Sequence, residues 1–212
     1  MSEFNLRKNP LKIVLVGPQK VGKTTIANSL SEFSHTISPD YHPTVGVRIL
    51  ETEKTYTEEQ VSSIPILKKN KLNKVKIELW DMSGDRRFES TWPSIKYGAN
   101  GVIIVLDAFN DKFDSIIDEW MNNFCTDINP ENITCFSYKK EDVKGISKNK
   151  QSRQFPGMVI SEVNHSIEAL LPVFHKFITK LLIKMKKGKM KKLMKRKKKE
   201  VKEKGKRIKK KN

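Results

Sequence analysis

The segment GPQKVGKT, residues 17–24, has the residue types and spacing of a phosphate-binding loop, G-x-x-x-x-G-K-[ST]. Its glycines let backbone amides curl around phosphate oxygens, Lys23 can reach the terminal phosphates, and the Thr24 hydroxyl can bind Mg²⁺. The alternative is a glycine-rich turn with a chance lysine, which the position of the loop between a predicted strand and helix disfavours. The residues expected to contact a nucleotide here are Gly17, Gln19, Lys20, Val21, Gly22, Lys23, Thr24 and Thr25.

Two further segments offer groups that could complete a site for phosphates and metal. In YHPTVG, the hydroxyl of Thr44 could reach Mg²⁺ and its amide a γ-phosphate, although the segment alone is only a proline turn entering a strand. In WDMSG, Asp81 ends a predicted strand and could hold Mg²⁺ through water, while the Gly84 amide could meet the γ-phosphate. Thr24, Thr44 and Asp81 are therefore the predicted metal-binding residues.

The elements around these segments alternate between strand and helix. Short β-branched or alternating apolar runs predict strands at 11–16, 45–53, 74–80, 101–106, 133–138 and 158–161. Helical spacing of apolar residues predicts helices at 23–33, 113–124 and 167–182. Residues 54–73 are interpreted as a long surface excursion within a hairpin, and residues 139–156 as a polar linker. The expected fold is a doubly wound α/β domain with a mostly parallel six-stranded sheet and helices on both faces.

Taken in order and on these elements, the three segments resemble the Ras-like small GTPases. The stretches YHPTVGVRILETE and ELWDMSGDRRFESTWPS are similar to those of the Rab-like GTPases of intraflagellar transport, the Rab-like 5 type. The resemblance covers residues 11 to about 182. It implies a P-loop fold, GTP or GDP with Mg²⁺ as ligands, and partners among the subunits of intraflagellar transport complex B, in particular coiled-coil subunits.

Several positions depart from the family pattern near the expected γ-phosphate. Asp85 stands where the family places a Gln that orients the attacking water, and an ionised carboxylate cannot donate a hydrogen bond. Gln19 and Lys20 stand where small residues are usual, and they would crowd the space for water and an arginine finger. We therefore expect very slow intrinsic hydrolysis, and Asp85 acting as a general base is the alternative.

Base recognition in the family uses the pattern Asn-Lys-x-Asp, which this chain carries as KKED. Lys140 and Asp142 match the pattern, whereas Lys139 replaces the Asn. Of the nearby Ser-Ala-Lys segment only Ser161 is kept. The resemblance implies that Asp142 selects guanine, with a simple linker charge as the alternative. The aromatic residues Phe88 and Trp92 are interpreted first as core residues and second as part of a partner surface.

The net charge of +18 lies almost entirely in the C-terminal segment. Residues 184–212 hold 18 of the 42 Lys and Arg residues but only two of the 24 Asp and Glu residues. We expect residues 1–183 to form the GTPase-like domain and residues 184–212 a disordered tail or a helix extension. No aromatic residue interleaves the lysines, which argues against specific nucleic-acid binding and leaves anionic membrane, acidic protein surfaces or solvated charge.

The remaining sequence features suggest a soluble chain in a reducing compartment. Two cysteines at positions 125 and 135 have no metal-binding spacing, and no signal segment, membrane span or prenylation box is expected. The prediction is a GTP-binding module of intraflagellar transport found in the cytoplasm, at the basal body and in the cilium or flagellum. Three alternatives stay open: a partner-activated GTPase, a structural subunit with a vestigial pocket, and a basic nucleic-acid binder.

Overall fold

The structure is a computed structural model that describes residues 6, 9–31, 42–139, 149–151, 155–163, 166 and 168–185. Within these residues the strands are β1 Leu11–Val16, β2 Val47–Thr55, β3 Lys74–Met82, β4 Gly101–Asp107, β5 Ile133–Tyr138, β6 Asn149–Gln151 and β7 Val159–Val163. The α-helices are α1 Lys23–Leu30, α2 Glu58–Ser63, α3 Pro65–Asn70, α4 Trp92–Lys96, α5 Phe113–Asn123 and α6, residues 168–185. Two 3-10 helices cover Arg86–Thr91 and Pro130–Asn132.

The strands form one sheet in the order β2-β3-β1-β4-β5-β7-β6. β1 lies parallel to both β3 and β4, and β5 lies parallel to β4 and β7, whereas β2 pairs antiparallel to β3. The predicted six-stranded doubly wound sheet is therefore confirmed, and its neighbouring hairpin β2–β3 is present. The short β6 adds an antiparallel edge strand that was predicted as linker.

The core occupies both faces of this sheet. On β1, Leu11, Ile13 and Leu15 pack in a cluster with α1 and α6, whereas Val14 and Val16 point into a second cluster with α4 and α5. This alternation follows from the two-residue period of a strand, so a strand covered on both faces is apolar throughout. Successive β1 residues thus anchor helices on opposite sides and fix the loop that follows Val16.

The segment between β2 and β3 is more ordered than the sequence suggested. Instead of a surface excursion it forms α2 and α3, and Thr57 and Gln60 cap α2 by exchanging hydrogen bonds of 3.3 and 3.1 Å between side chain and backbone. Ile64, Ile66 and Leu67 are buried in the core cluster that also contains α6 residues. The prediction of a surface excursion was wrong for these apolar residues, which are part of the core. Their burial stabilises two helices of six residues each, which would be too short to be stable alone.

Other predicted boundaries shift slightly. The helix predicted for 23–33 is observed as Lys23–Leu30, and residues 32 and 33 lie outside the described part. α6 continues to residue 185, past the predicted domain boundary at 183, while 186–212 are outside the described residues. Among the helices that the structure describes, none is long and apolar enough to cross a membrane.

Candidate functional site

The loop after β1 packs closely against two other parts of the chain, so a Cβ at Gly22 or at Gly84 would clash with its neighbours. Gly22 caps α1 with a φ of 94°, and a Cβ there would lie 2.5 Å from the ring of Tyr138. A Cβ on Gly84 would lie 2.5 Å from the backbone carbon of Pro18. The end of β3 is thereby held against the loop, and this packing brings the predicted loop residues and Gly84 together.

Lys23, the first residue of α1, turns back into the loop. Its Nζ donates hydrogen bonds to the carbonyl oxygens of Gly17 at 2.9 Å and Pro18 at 2.6 Å, and the residue is only 6% exposed. Burial lowers the pKa of Lys23 to about 8, and the charge of Asp81 opposes this effect. A desolvated ammonium in a ring of backbone dipoles is well placed to attract phosphate oxygens.

The three predicted metal-binding residues meet at one point. Thr24 Oγ1 donates to Asp81 Oδ2 at 2.8 Å, Thr44 Oγ1 lies 3.4 Å from the same oxygen, and the two hydroxyl oxygens are 3.0 Å apart. Asp81 is fully buried, and burial raises its pKa, while the hydrogen bond from Thr24 and the charge of Lys23 act in the opposite direction. Its second oxygen, Oδ1, makes no hydrogen bond among the described residues.

This arrangement fits Mg²⁺. A buried carboxylate oxygen without a hydrogen-bond partner is costly unless something compensates it, and hard oxygen ligands from one carboxylate and hydroxyls are what Mg²⁺ prefers alongside phosphates. The described residues contain no group of three or more His, Cys, Asp or Glu side chains that could hold a metal ion. Thr24, Thr44 and Asp81 would hold the ion beside the loop.

Sequence reasoning missed Arg48, which lies next to this cluster. Arg48 on β2 places Nη1 3.9 Å from Asp81 Oδ2, and its Nη2 donates to Asn28 Oδ1 at 2.9 Å. Arg48 is the register partner of Asp81 in the antiparallel β2–β3 pair. The sequence predicted the hairpin but not its register, which is what brings this guanidinium to the carboxylate. Arg48 and Lys23 together give Asp81 two cationic neighbours.

The carboxylate of Asp85 forms hydrogen bonds with Arg87, two residues further along the chain. Its carboxylate caps the 3-10 helix that starts at Arg86 by accepting the Arg87 backbone N–H at 2.9 Å, and it accepts Nη2 and Nε of the Arg87 side chain at 2.7 and 3.0 Å. These contacts hold the pKa of Asp85 below its ordinary value, with a smaller contribution from the Gln19 side chain. Asp85 is therefore ionised at neutral pH, and both of its oxygens already accept hydrogen bonds.

Lys20, the other departure in the loop, has a left-handed backbone with a φ of 63°. This conformation is strained for most residues other than glycine, which gives a physical reason why glycine suits the position.

The base-recognition side is described only in part. Lys139 follows β5, donates its N–H to the Val163 carbonyl at 2.8 Å, and forms an ion pair with Glu162, with 3.0 Å between Nζ and Oε2. Ser161 is buried on β7 opposite Phe136. Lys140 and Asp142 lie outside the described residues. The Lys139–Glu162 pair thus joins the two segments where the family pattern has Asn and Ala.

The two aromatic residues after β3 differ in their environment. Trp92 is buried, with its ring centroid 5.1 Å from that of Trp120 and 5.6 Å from that of Phe124, whereas Phe88 is half-buried. The first interpretation, a core role, therefore holds for Trp92. Edge-on and tilted aromatic contacts of this kind anchor α4 and α5 to the same face of the sheet.

A glycine-bounded loop between a parallel strand and a helix, with a lysine and a hydroxyl facing a buried carboxylate, defines a P-loop nucleotide-binding domain. Residues 12–142 match the family model described as Ras of Complex, Roc, domain of DAPkinase. The chain belongs to the Roc/Ras-like GTPase family, and the resemblance found in the sequence is confirmed.

Individual relatives point in the same direction. The chain is 40% identical over 114 residues to the intraflagellar transport protein 22 homolog of Danio rerio, covering 54% of this chain and 56% of that protein. It is 32% identical over 154 residues to intraflagellar transport associated protein 2 of Caenorhabditis elegans, covering 62% and 59%. The matches thus span little more than half of these relatives.

A solved structure shares the fold. A chain of the GTP-bound crystal structure of T. brucei IFT22/74/81 aligns with a TM-score of 0.58 and 21% identity, covering 80% of this chain and 95% of that chain. At this identity the likeness concerns the fold alone, and it agrees with the doubly wound sheet described above.

Proposed function

We propose that this protein is a GTP- and GDP-binding subunit or regulator of intraflagellar transport, which binds its partners according to the nucleotide that it holds. The observation that carries the proposal is the Thr24–Thr44–Asp81 cluster beside the phosphate loop. Family membership supports a guanine nucleotide, and the names of the relatives support intraflagellar transport. The proposed locations are the cytoplasm, the basal body and the cilium or flagellum.

The phosphates would be held by this chain's own backbone and by Lys23. The backbone N–H groups of the glycine-bounded loop would bind phosphate oxygens, Lys23 would supply charge from a desolvated site, and Mg²⁺ would neutralise charge between the phosphates and Asp81. Thr44 belongs to the segment that leads into β2, so any change at the γ-phosphate would reach this segment directly.

The segment after Thr44 exposes apolar side chains that a partner could contact, and a structural change at Thr44 would alter this surface. Val45 is 76% exposed, and Ile49 on β2 is 52% exposed beside Trp80, its partner on β3. Exposed apolar residues that adjoin a nucleotide-sensing threonine are suited to a partner surface. We assign this surface to complex B subunits, with coiled-coil subunits as the expected type.

Hydrolysis would be slow in the isolated protein. Asp85 stands where the family has the water-orienting Gln, and it is ionised and already bonded to Arg87, so it can neither donate a hydrogen bond to a water nor accept its proton readily. The protein then acts mainly as a binding module, and faster turnover would need groups from a partner.

The first experiment is equilibrium binding of fluorescent GTP, GDP and ATP to the full chain, with and without Mg²⁺, checked by competition with unlabelled nucleotides. We expect tight, Mg²⁺-dependent GTP binding and much weaker ATP binding. Equal affinity for ATP would refute guanine selectivity, and no binding would leave an assembly subunit with a vestigial pocket. Efficient turnover by the protein alone would refute slow hydrolysis.

A second experiment tests the partner surface with purified complex B subunits. Capture should be stronger with a non-hydrolysable GTP analogue than with GDP, and Ile49→Arg should reduce it at least about tenfold, as truncation of an interface anchor does. Phe109→Arg is a matched control because Phe109 is 67% exposed after β4, away from β2. Equal loss in both variants, or capture that ignores the nucleotide, would contradict the proposal.

A further inference from the structure

A second cleft lies away from the phosphate loop, between the end of β2, α2 and α6. It has a volume of about 550 Å³, and four lysines line it: Lys54, Lys176, Lys180 and Lys184. Ile183, which is 38% exposed, and the aliphatic stems of the lysines supply apolar surface. The cleft therefore combines an apolar lining with a strong positive charge.

Lys54 is buried in this cleft, and its hydrogen-bond partners are uncharged groups. It is 7% exposed, its Nζ donates to the His175 carbonyl at 3.3 Å and to Thr179 Oγ1 at 3.4 Å, and it lies 4.6 Å from the centre of the Tyr56 ring. No carboxylate in the described part of the chain pairs with it. Burial lowers the pKa of Lys54 to about 8, so the ammonium is still the main form at neutral pH. Buried charges are costly unless an opposite charge accompanies them.

The α6 lysines are only partly compensated. Lys180 Nζ donates to the Gly157 carbonyl at 2.7 Å, and Lys184 pairs with Glu131 at 2.6 Å. Lys176 is exposed and makes no ion pair among the described residues. The three residues are spaced four apart along α6, so they follow one face of the helix over about 12 Å. The cleft keeps more positive than negative charge along this length.

We infer that this cleft binds an acidic peptide segment of a partner protein, with its carboxylates placed between Lys54 and Lys176. A length of about 12 Å accommodates roughly four extended residues, which is more than a single phosphate needs. The chain's own C-terminal segment is a poor occupant, since residues 186–212 carry 17 Lys and Arg against two Glu. The positive charge of that segment would be repelled by the cleft lysines, and it would also attract an acidic partner.

The cleft lies at the opposite end of β2 from the metal cluster. β2 starts at Val47, next to the Thr44 segment, and Lys54 comes seven residues later, which corresponds to about 23 Å of strand. Binding of an acidic peptide here is accordingly a second interaction, separate from the nucleotide-dependent surface around Ile49. It does not rest on the proposed GTP binding, and a protein that binds no nucleotide would keep it.

The test uses fluorescence anisotropy of labelled hexaglutamate with the full chain at physiological ionic strength. Lys176→Glu is the main variant because Lys176 is exposed and its replacement leaves the core intact, and Lys54→Met removes the buried charge at similar volume. Lys68→Glu on α3 is the matched control, since Lys68 is also an exposed helical lysine and the tail is unchanged. Both cleft variants should weaken binding by at least about tenfold, and the control by less than about twofold.

Other results would overturn the inference. An equal loss in Lys68→Glu would assign the binding to overall charge or the C-terminal segment, and no binding at all would leave the cleft without this ligand. Displacement of the labelled hexaglutamate by an equimolar amount of inorganic pyrophosphate would identify a small anion as the ligand. Tighter binding of an oligothymidylate of equal charge would identify nucleic acid.

Discussion

Lys23 in the phosphate loop and Lys54 in the basic cleft are buried to the same degree, with exposed fractions of 6% and 7%. Burial lowers the pKa of both to about 8, but among the described residues a carboxylate, that of Asp81, lies near Lys23 and none lies near Lys54. Two buried lysines with similarly lowered pKa values thus lie in different surroundings, one within a recognisable motif and the other outside any motif of the sequence. The comparison indicates that a buried lysine without a nearby carboxylate is worth testing as a binding site, even where no sequence motif points to it.

The strongest way to break the comparison is to remove each lysine in turn. Lys23→Ala should reduce GTP affinity at least about 100-fold, roughly 2.7 kcal/mol, because the phosphates lose their buried counter-charge. Lys54→Met should leave GTP affinity within about twofold, since Lys54 is at the other end of β2. Competition titrations with unlabelled GTP measure both values.

The acidic-peptide titration on the same two variants should give the reverse order. Circular dichroism confirms that each variant remains folded. If Lys54→Met lowered GTP affinity as much as Lys23→Ala, the two lysines would belong to one coupled site and the comparison would fail.

Removing the carboxylate that distinguishes the two lysines should have the next largest effect. Asp81→Asn leaves Lys23 as unpaired as Lys54 and takes away the proposed Mg²⁺ partner, so GTP affinity with Mg²⁺ should fall roughly 10- to 100-fold. The ratio of GTP affinities with and without Mg²⁺ should approach one. Glu78→Gln, on the same strand, is the control. A variant that kept the full Mg²⁺ effect would show that the ion is held elsewhere.

The predictable parts of this site are those that depend on short-range sequence. Gly22 and Thr24 follow from loop spacing, and Asp81 follows from its place at the end of an apolar strand. Arg48 and Lys54 could not be found in this way, because their surroundings depend on strand register and on the packing of α6. The helices α2 and α3 are too short to show a period, so the sequence predicts a surface excursion between β2 and β3; β6 is also too short, so residues 139–156 are predicted as a linker.

The pH dependence of the unfolding free energy tests the burial of Lys54 separately from that of Lys23. Its folded-state pKa of about 8 is below the ordinary value of 10.5, so between these pH values the unfolded chain binds more protons and stability rises with pH. When the pH is raised from 7 to 9.5, the unfolding free energy of the wild type should increase by on the order of 1 kcal/mol relative to that of Lys54→Met. The increase is kept small because Lys54 retains some contact with solvent.

Urea unfolding at the two pH values measures this difference. Neighbouring groups do not interfere, because the pKa of Tyr56 is raised by burial to about 12 and that of His175 is lowered from 6.5 by burial and by Lys54. A difference that is constant with pH would mean that Lys54 is not desolvated in solution.

The smallest expected effect concerns a third lysine, Lys139, which has a full carboxylate partner in Glu162. Both side chains are partly exposed, at 24% and 33%, so a double-mutant cycle of Lys139→Asn and Glu162→Ala should give a coupling of only about 0.5 kcal/mol in unfolding free energy. The double variant also restores the family pattern at both positions. If the pair holds the two base-recognition segments together, each single variant should weaken GTP binding, and the double variant should recover it. Additive losses would show instead that the two residues act separately, and that a paired lysine here serves no function beyond surface charge.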